Sequence, residues 1–403
     1  MADAAPPWKE IVTGFLKIGI TAYGGPAIMG VMQAEFQERR QWLSKPRFLE
    51  GVALVTVLPG ATAVQLGIFL GYVRGGWWGG LLAGLCFSAP GFAVMLALAV
   101  AYATLGVSPI MRHALYGVGP VVLAIFIVAL LRLARTALRA WPQRLIAGAA
   151  VVAALLSPLG AVAILLVAGA VGVFLFHSRR AGAVVLLVLL AGLALVPLIA
   201  WTPAGFVTTT GGVPGLGKVV ALFSTIGAVT FGGALAMIPL VEEHVVHRLH
   251  WLTAQEFIAG LALGQLTPGP ILMVAAYIGY KVLGVGGAVA AAVAMFLPSF
   301  VMMLAILPAF DRVRTLAWTK AVLQGVVPAV IGVMTVALSR LTPAAAPDLP
   351  AVIVLVAAVA VLFLAELAPV KAMVGGAVLG VLRGRLAELS LVKPVLGFGS
   401  WAR

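Results

Sequence analysis

The sequence predicts an all-α polytopic membrane protein built from two homologous halves. Three observations predict it: a composition too apolar for a soluble domain, long uncharged runs without strand-like alternation, and an internal repeat covering most of the chain. Of 403 residues 63% are hydrophobic and 9% charged, whereas an ordinary soluble domain carries about 25% charged residues. The 47 glycines and 24 prolines would weaken soluble helices. In a membrane, small residues let helices approach closely, and breaks can be satisfied internally.

The apolar stretches are residues 11–33, 48–73, 77–105, 114–131, 145–157, 159–176 and 182–200, then 219–241, 257–280, 284–310, 321–339, 350–365 and 372–382. A hydrocarbon layer about 30 Å thick needs about 20 helical residues. Several stretches are shorter, or are broken by Pro59-Gly60, Pro90-Gly91, Pro268-Gly269-Pro270 and Pro298. About ten spans are therefore expected, together with broken or re-entrant helices at the Pro-Gly sites. Residues 201–217, rich in Gly, Pro and Thr, read as a linker between an N-terminal repeat (1–200) and a C-terminal repeat (218–403). Residues 1–10 (MADAAPPWKE) lack a basic leader region, so the first apolar segment is expected to stay in the mature protein.

The repeat is explicit. A shift of 208 places Phe15, Gly19, Gly24, Gly25, Glu35 and Arg40 on Phe223, Gly227, Gly232, Gly233, Glu243 and Arg248. One inserted residue later, Trp42, Phe48, Pro59 and Gly60 match Trp251, Phe257, Pro268 and Gly269; after a compensating deletion, Gly71, Gly76 and Pro90 match Gly279, Gly284 and Pro298. Basic residues alternate in opposite phase. Arg39, Arg40, Lys45 and Arg47 face a counterpart loop holding Arg248 among acids. Arg112 is set against Arg312, Arg314 and Lys320, and Arg132, Arg135, Arg139 and Arg144 against Arg340. Since Lys and Arg favour the cytoplasmic side, the halves are expected to have inverted topology. The net charge of +14 is read as these loops, and no nucleic-acid partner is expected.

The breaks carry the chemistry. Proline removes a backbone donor and glycine permits a sharp turn. The freed groups are tolerated in lipid only inside protein or along a cavity. Half-helices starting at such breaks aim N–H groups and positive dipole ends at an anion. The substrate-binding candidates are accordingly Pro59, Gly60, Thr62 and Gln65 in the first half, and Gln265, Thr267, Pro268, Gly269 and Pro270 in the second. The glycine pairs Gly24-Gly25 and Gly232-Gly233 and the intramembrane base Lys17 join them; the counterpart of Lys17 is Thr225. Tetrahedral oxyanions suit such neutral donors. Glu35, Glu243 and Arg74 are candidates for coupling or for anion attraction. His244, His247 and His250 spread around a helical axis and read as a polar loop rather than a metal site. Cys86, the sole cysteine, reads as a small core residue.

The motifs FLKIGITAYGGP (15–26), ERRQWLS (38–44), LPG (58–60), TAVQLGIFLGY (62–72), FSTIGAVTFGG (223–233), WLTAQEFIAGLALGQLTPGP (251–270) and FLPSF (296–300) resemble the chromate ion transporter family in its long two-domain form. The resemblance spans roughly residues 12–312. It implies chromate efflux across the bacterial inner membrane, chromate resistance, competition by sulfate and two domains of opposite orientation. One position departs: the family's first-half Pro-Gly-Pro reads Pro59-Gly60-Ala61 here. The expected partners are a chromate- or sulfate-like oxyanion and the lipid bilayer, with a homodimer as the assembly allowed. No cofactor or metal is expected. An enzyme acting on a lipid or quinone would need a nucleophile-base pair or metal ligands within the spans, where Gly, Pro, Thr and Gln stand instead.

Overall fold

The computed structural model describes residues 8–22, 25–104, 108–156, 160–199, 215–230, 234–309, 317–365 and 367–392. These form fifteen α-helices. In the first half they are α1 (Trp8–Thr21), α2 (Gly25–Met32), α3 (Lys45–Val57), α4 (Thr62–Thr104), α5 (Pro109–Ala137), α6 (Trp141–Leu156), α7 (Ala161–Phe176) and α8 (Arg179–Ile199). In the second they are α9 (Leu216–Val229), α10 (Ala234–Glu242), α11 (Ala254–Leu266), α12 (Val274–Ile306), α13 (Ala317–Ala345), α14 (Leu349–Leu364) and α15 (Pro369–Val392). Among the described residues, four segments are long and apolar enough to cross a bilayer: Thr62–Thr104, Ile110–Ala137, Ile271–Ala309 and Lys320–Ala345. Shorter apolar helices accompany them. The chain is a multi-pass, all-helical membrane protein. Of the expected linker, residues 201–214 lie outside the described residues, and α9 already begins at Leu216.

The sequence repeat reappears in backbone detail. A shift of 208 carries α1 onto α9, α5 onto α13 and α6 onto α14, and a shift of 209 carries α3 onto α11, with identical boundaries each time. Both α2 and α10 run into a π-helical turn, Gln33–Arg39 and Glu243–Arg248. Gln41 and His250 follow at φ 52° and 50°. The two long helices break at matching places. Gly75 and Gly76 have φ/ψ of −140°/23° and 62°/−154°; Leu283 and Gly284 have −138°/23° and 63°/−152°. The left-handed residue is glycine both times, because a side chain would be strained there.

Those breaks are reversals. Gly71 lies against Gly79 and Ala83, and Gly279 against Gly287 and Ala291, so each long helix folds back on itself. In a straight helix such residues would be about 12 to 18 Å apart. A second hairpin precedes each reversal. Gly51 of α3 packs on the Phe69 ring, as Gly260 of α11 packs on the Tyr277 ring, so α3 runs antiparallel to the first limb of α4 and α11 to the first limb of α12. The tips of these hairpins are residues 58–61 and 267–270.

Small residues set the packing between halves. Gly80 meets Leu304 and Gly84 meets Phe300; one number rises as the other falls, so the second limbs of α4 and α12 cross antiparallel. Gly117 of α5 meets Gly376 and Gly380 of α15, and Gly325 of α13 meets Ala168 and Gly172 of α7. Each half thus lends a helix to the other at small-residue seams, where backbones come close enough for dispersion and weak C–H···O contacts to hold them in an apolar solvent.

Candidate functional site

Each hairpin tip meets the broken helices of the other half. At the first tip, Gly60 N donates to Thr230 O at the end of α9 (2.6 Å), and Ala61 N donates to Ser299 Oγ on α12 (2.8 Å). At the second tip, Gly269 N donates to Ala22 O at the end of α1 (2.9 Å). The Pro268 carbonyl lies so close to Gly91 of α4 that a Cβ there would come within 2.6 Å of it. Gly60 and Gly269 have φ of 126° and 88°, the left-handed half of the map that a sharp tip requires. Ala22 and Thr230 are repeat partners, as are Gly91 and Ser299, so the two tips use equivalent supports.

Four helices start next to these breaks. Immediately after the breaks begin α2 (Gly25), α4 (Thr62), α10 (Ala234) and, through the short 3₁₀ turn Ile271–Met273, α12. The first turn of a helix presents N–H groups that the helix itself does not use, together with a partial positive charge. The competing negative ends are partly covered, since the last carbonyls of α1 and α9 accept the Gly269 and Gly60 N–H groups. Such a cluster of helix starts favours an anion.

Side chains make the site unequal. Gln65 is fully buried; its Nε2 donates to Pro59 O at 2.7 Å, while its buried Oε1 has no hydrogen-bond partner among the described residues. Ser299 is also fully buried. Thr62 opens α4 and is half-buried. In the second half Gln265 and Thr267 are buried, and Thr267 Oγ1 turns back to Leu263 O at 2.7 Å. Pro268 and Pro270 flank Gly269 in the buried second tip. Gly25 begins α2, whereas Gly24, Gly232 and Gly233 lie outside the described residues.

Four expected residues stand away from the tips. Lys17 is exposed on α1. Glu35 is held by Arg40 (2.8 Å) and Arg39 (2.9 Å), and Glu243 by Arg248 (2.6 Å) and the Ala161 N–H (2.6 Å). Both main pairs are five residues apart, a spacing that the π-helical turn brings onto one side. Arg74 pairs with Glu10 at 3.1 Å and lies over the Trp42 ring, at the edge of a surface cavity shared with Arg40 and Gln41. The three histidines do not converge either. His244 bonds Leu240 O, His247 bonds Glu242, and His250 takes the left-handed turn position.

Comparison with known proteins supplies the family. The chromate transporter family model matches residues 9–194 and 217–381. The chain belongs to the chromate transporter family. It is 32% identical to a chromate transport protein of Cupriavidus metallidurans, over 88% of this chain and 87% of that protein. It is 34% identical to one from Pseudomonas aeruginosa, over 86% and 85% respectively. A probable chromate transport protein of Synechococcus elongatus is 32% identical over 85% of this chain and 86% of its own length. No solved structure matches the chain.

Within this family frame, sequence reasoning overlooked Ser299, Thr230 and Ala22. Ser299 was visible one residue after Pro298, as the counterpart of Gly91; the signal was that a polar residue replaces glycine beside a repeated proline, although Pro90 and Pro298, expected as breaks, lie inside continuous helix and the chain reverses at Gly76 and Gly284 instead. Thr230 and Ala22 act through their main-chain carbonyls, which no residue type announces.

Proposed function

We propose that the chain is a secondary transporter that exports chromate across the bacterial inner membrane, with the two tips and four helix starts as the substrate site. One observation carries this reading: each hairpin tip is hydrogen-bonded to the broken helix of the opposite half, so a change in how the halves sit necessarily remodels the site. That is the requirement for alternating access. Sulfate, a tetrahedral dianion of similar shape, is the second substrate of the reading, because backbone N–H groups do not separate one oxyanion from another by charge.

The halves are read as inverted. The equivalent limbs of α4 and α12 run antiparallel, which favours that arrangement. Helices α3 and α11, at 13 residues each, extend only about 20 Å, too short for a layer about 30 Å thick. Each hairpin is therefore read as re-entrant, dipping to mid-membrane from opposite faces. The face with Arg39, Arg40, Arg74, Arg132 and Arg135 is the cytoplasmic one by its positive charge. The excess of basic loop residues on this face raises the local concentration of an approaching dianion. Glu35 and Glu243 are read as braces of the two π-turns.

The deciding experiment is flux of radiolabelled chromate in proteoliposomes under an imposed potential, with sulfate as competitor. Saturable, sulfate-sensitive flux, lost in Pro268→Ala/Pro270→Ala, is the expected result. A folded wild-type protein that moves neither anion under a potential or a pH gradient would overturn the reading.

A further inference from the structure

A second ionisable cluster lies away from the tips, and its Glu242–His247 pair has no counterpart at the equivalent positions of the first half. Glu242, the last residue of α10, is 1% exposed. Its Oε1 is 2.6 Å from His247 Nε2, and its buried Oε2 has no hydrogen-bond partner among the described residues. The carboxylate borders a cavity of ≈230 Å³, room for several waters at about 30 Å³ each. The π-helical turn creates the pair, since residues five apart in an α-helix point to different sides.

The surroundings identify the ligand. From its own stretch Glu242 faces His247, Glu243 and Arg248, and from α13 it faces Arg340; α6 and α7 contribute the apolar Ala154, Ala161 and Ile164. Glu243 is already held by Arg248 and the Ala161 N–H, and Arg340 donates to Ala154 O at 3.0 Å. Two carboxylates and two guanidiniums cancel. A metal cation would meet both arginines, and an anion both glutamates. The species that the Glu242–His247 pair can take up without upsetting that balance is a proton, shared across the 2.6 Å contact or placed on the unpartnered Oε2.

Position and asymmetry favour transport use. The shift of 208 replaces Glu242, His247 and Arg340 with Ala34, Arg39 and Arg132, so the equivalent positions of the first half do not form such a pair. The Glu243–Ala161 bond and the Arg340–Ala154 bond both cross from the second half to the first. Rocking of the halves would therefore open or close the cavity. Helix α10 places Glu242 about 13 Å along its axis from the central break, towards the face opposite the basic loops.

We propose that Glu242 and His247 form the transporter's proton-binding site, loaded from the outer face and emptied as the halves rearrange. This rests on the transport reading above. A ligand shifts a conformational equilibrium only by its differential affinity for the two states, and a cavity whose walls belong to different halves supplies that difference.

The test uses full-length protein in proteoliposomes. Infrared spectra across a pH titration read the protonated-carboxyl C=O band, and chromate flux is measured over the same range. Expected are a band that grows on acidification, disappears in Glu242→Gln, shifts its midpoint in His247→Gln and responds to added chromate, with flux in Glu242→Gln losing its pH dependence. Retention of the wild-type band and flux profile in Glu242→Gln would overturn the proposal, as would a band indifferent to every oxyanion. A band that responds to sulfate but not to chromate would leave the proton site standing and remove chromate as the substrate.

Discussion

Gly60 and Gly269 both adopt positive φ, yet their surroundings differ. A Cβ on Gly60 would strike Ser299 Oγ and come within 2.6 Å of Gln65 Nε2, whereas the nearest atom to a Cβ on Gly269 is 3.8 Å away. Gly60→Ala adds a steric clash to the left-handed strain, and Gly269→Ala incurs the strain alone, of order 1–2 kcal/mol. Thermal unfolding in detergent is expected to rank Gly60→Ala well below Gly269→Ala; equal losses would mean that the first tip is slack. Ser299→Ala removes the acceptor for the buried Ala61 N–H, at about 1–3 kcal/mol, and is expected to raise the substrate KM more than it changes folding. Outside the membrane, Asp348 caps α14 through the Ala351 N–H (3.0 Å) and pairs with Arg383 (2.6 Å). The Tyr116 hydroxyl, with these partners, outweighs burial and holds the carboxyl below its ordinary 3.8. A depressed pKa stabilises above the unfolded value and ceases to do so as pH falls through the folded one. The difference in Tm between wild type and Asp348→Asn should therefore be present at neutral pH and vanish in acid.

At the scale of elements, the duplication was legible because its main markers are glycines and prolines at the turns that need them. The Pro-Gly tips and the Gly76 and Gly284 reversals fall at residues the sequence flags. What was not legible is that α4 and α12 fold back tightly: nothing in apolar stretches 48–73 and 77–105 distinguishes a kink from a reversal, since the distinction is made by Gly71 meeting Gly79 in space. Lys17 shows the opposite limit. A base in an apolar run can be buried against a partner or exposed, and periodicity does not say which; Lys17 is exposed on α1. Helix α11 tests how firmly an entry helix must be anchored. Thr253 and Glu256 form a reciprocal cap, with Glu256 also paired to Lys281 at 2.8 Å. Thr253→Ala is expected to cost about 1 kcal/mol, and hydrogen exchange should show faster exchange confined to the first turn of α11. Exchange spreading to the second tip would show that cap and tip act as one unit.

The whole molecule rests on the relation between its halves. Charge bias along the sequence and the antiparallel crossing of α4 and α12 are independent arguments for inversion, because loop arginines have no part in how Gly84 meets Phe300. They make a joint prediction about the reversal turns. Trp78 and Gly286 are repeat partners two residues beyond those turns, and both are exposed. With inverted halves, one turn lies at the cytoplasmic face beside Arg74 and the other at the outer face beside Lys281. Single cysteines at Trp78 and Gly286, in a Cys86→Ser background, should then react with a membrane-impermeant maleimide from opposite sides. In intact cells the Gly286→Cys protein is expected to label and the Trp78→Cys protein only after permeabilisation. Labelling of both from one side would contradict the inversion. It would also conflict with the antiparallel crossing of the second limbs of α4 and α12, since halves related by an axis along the membrane normal keep their equivalent helices parallel.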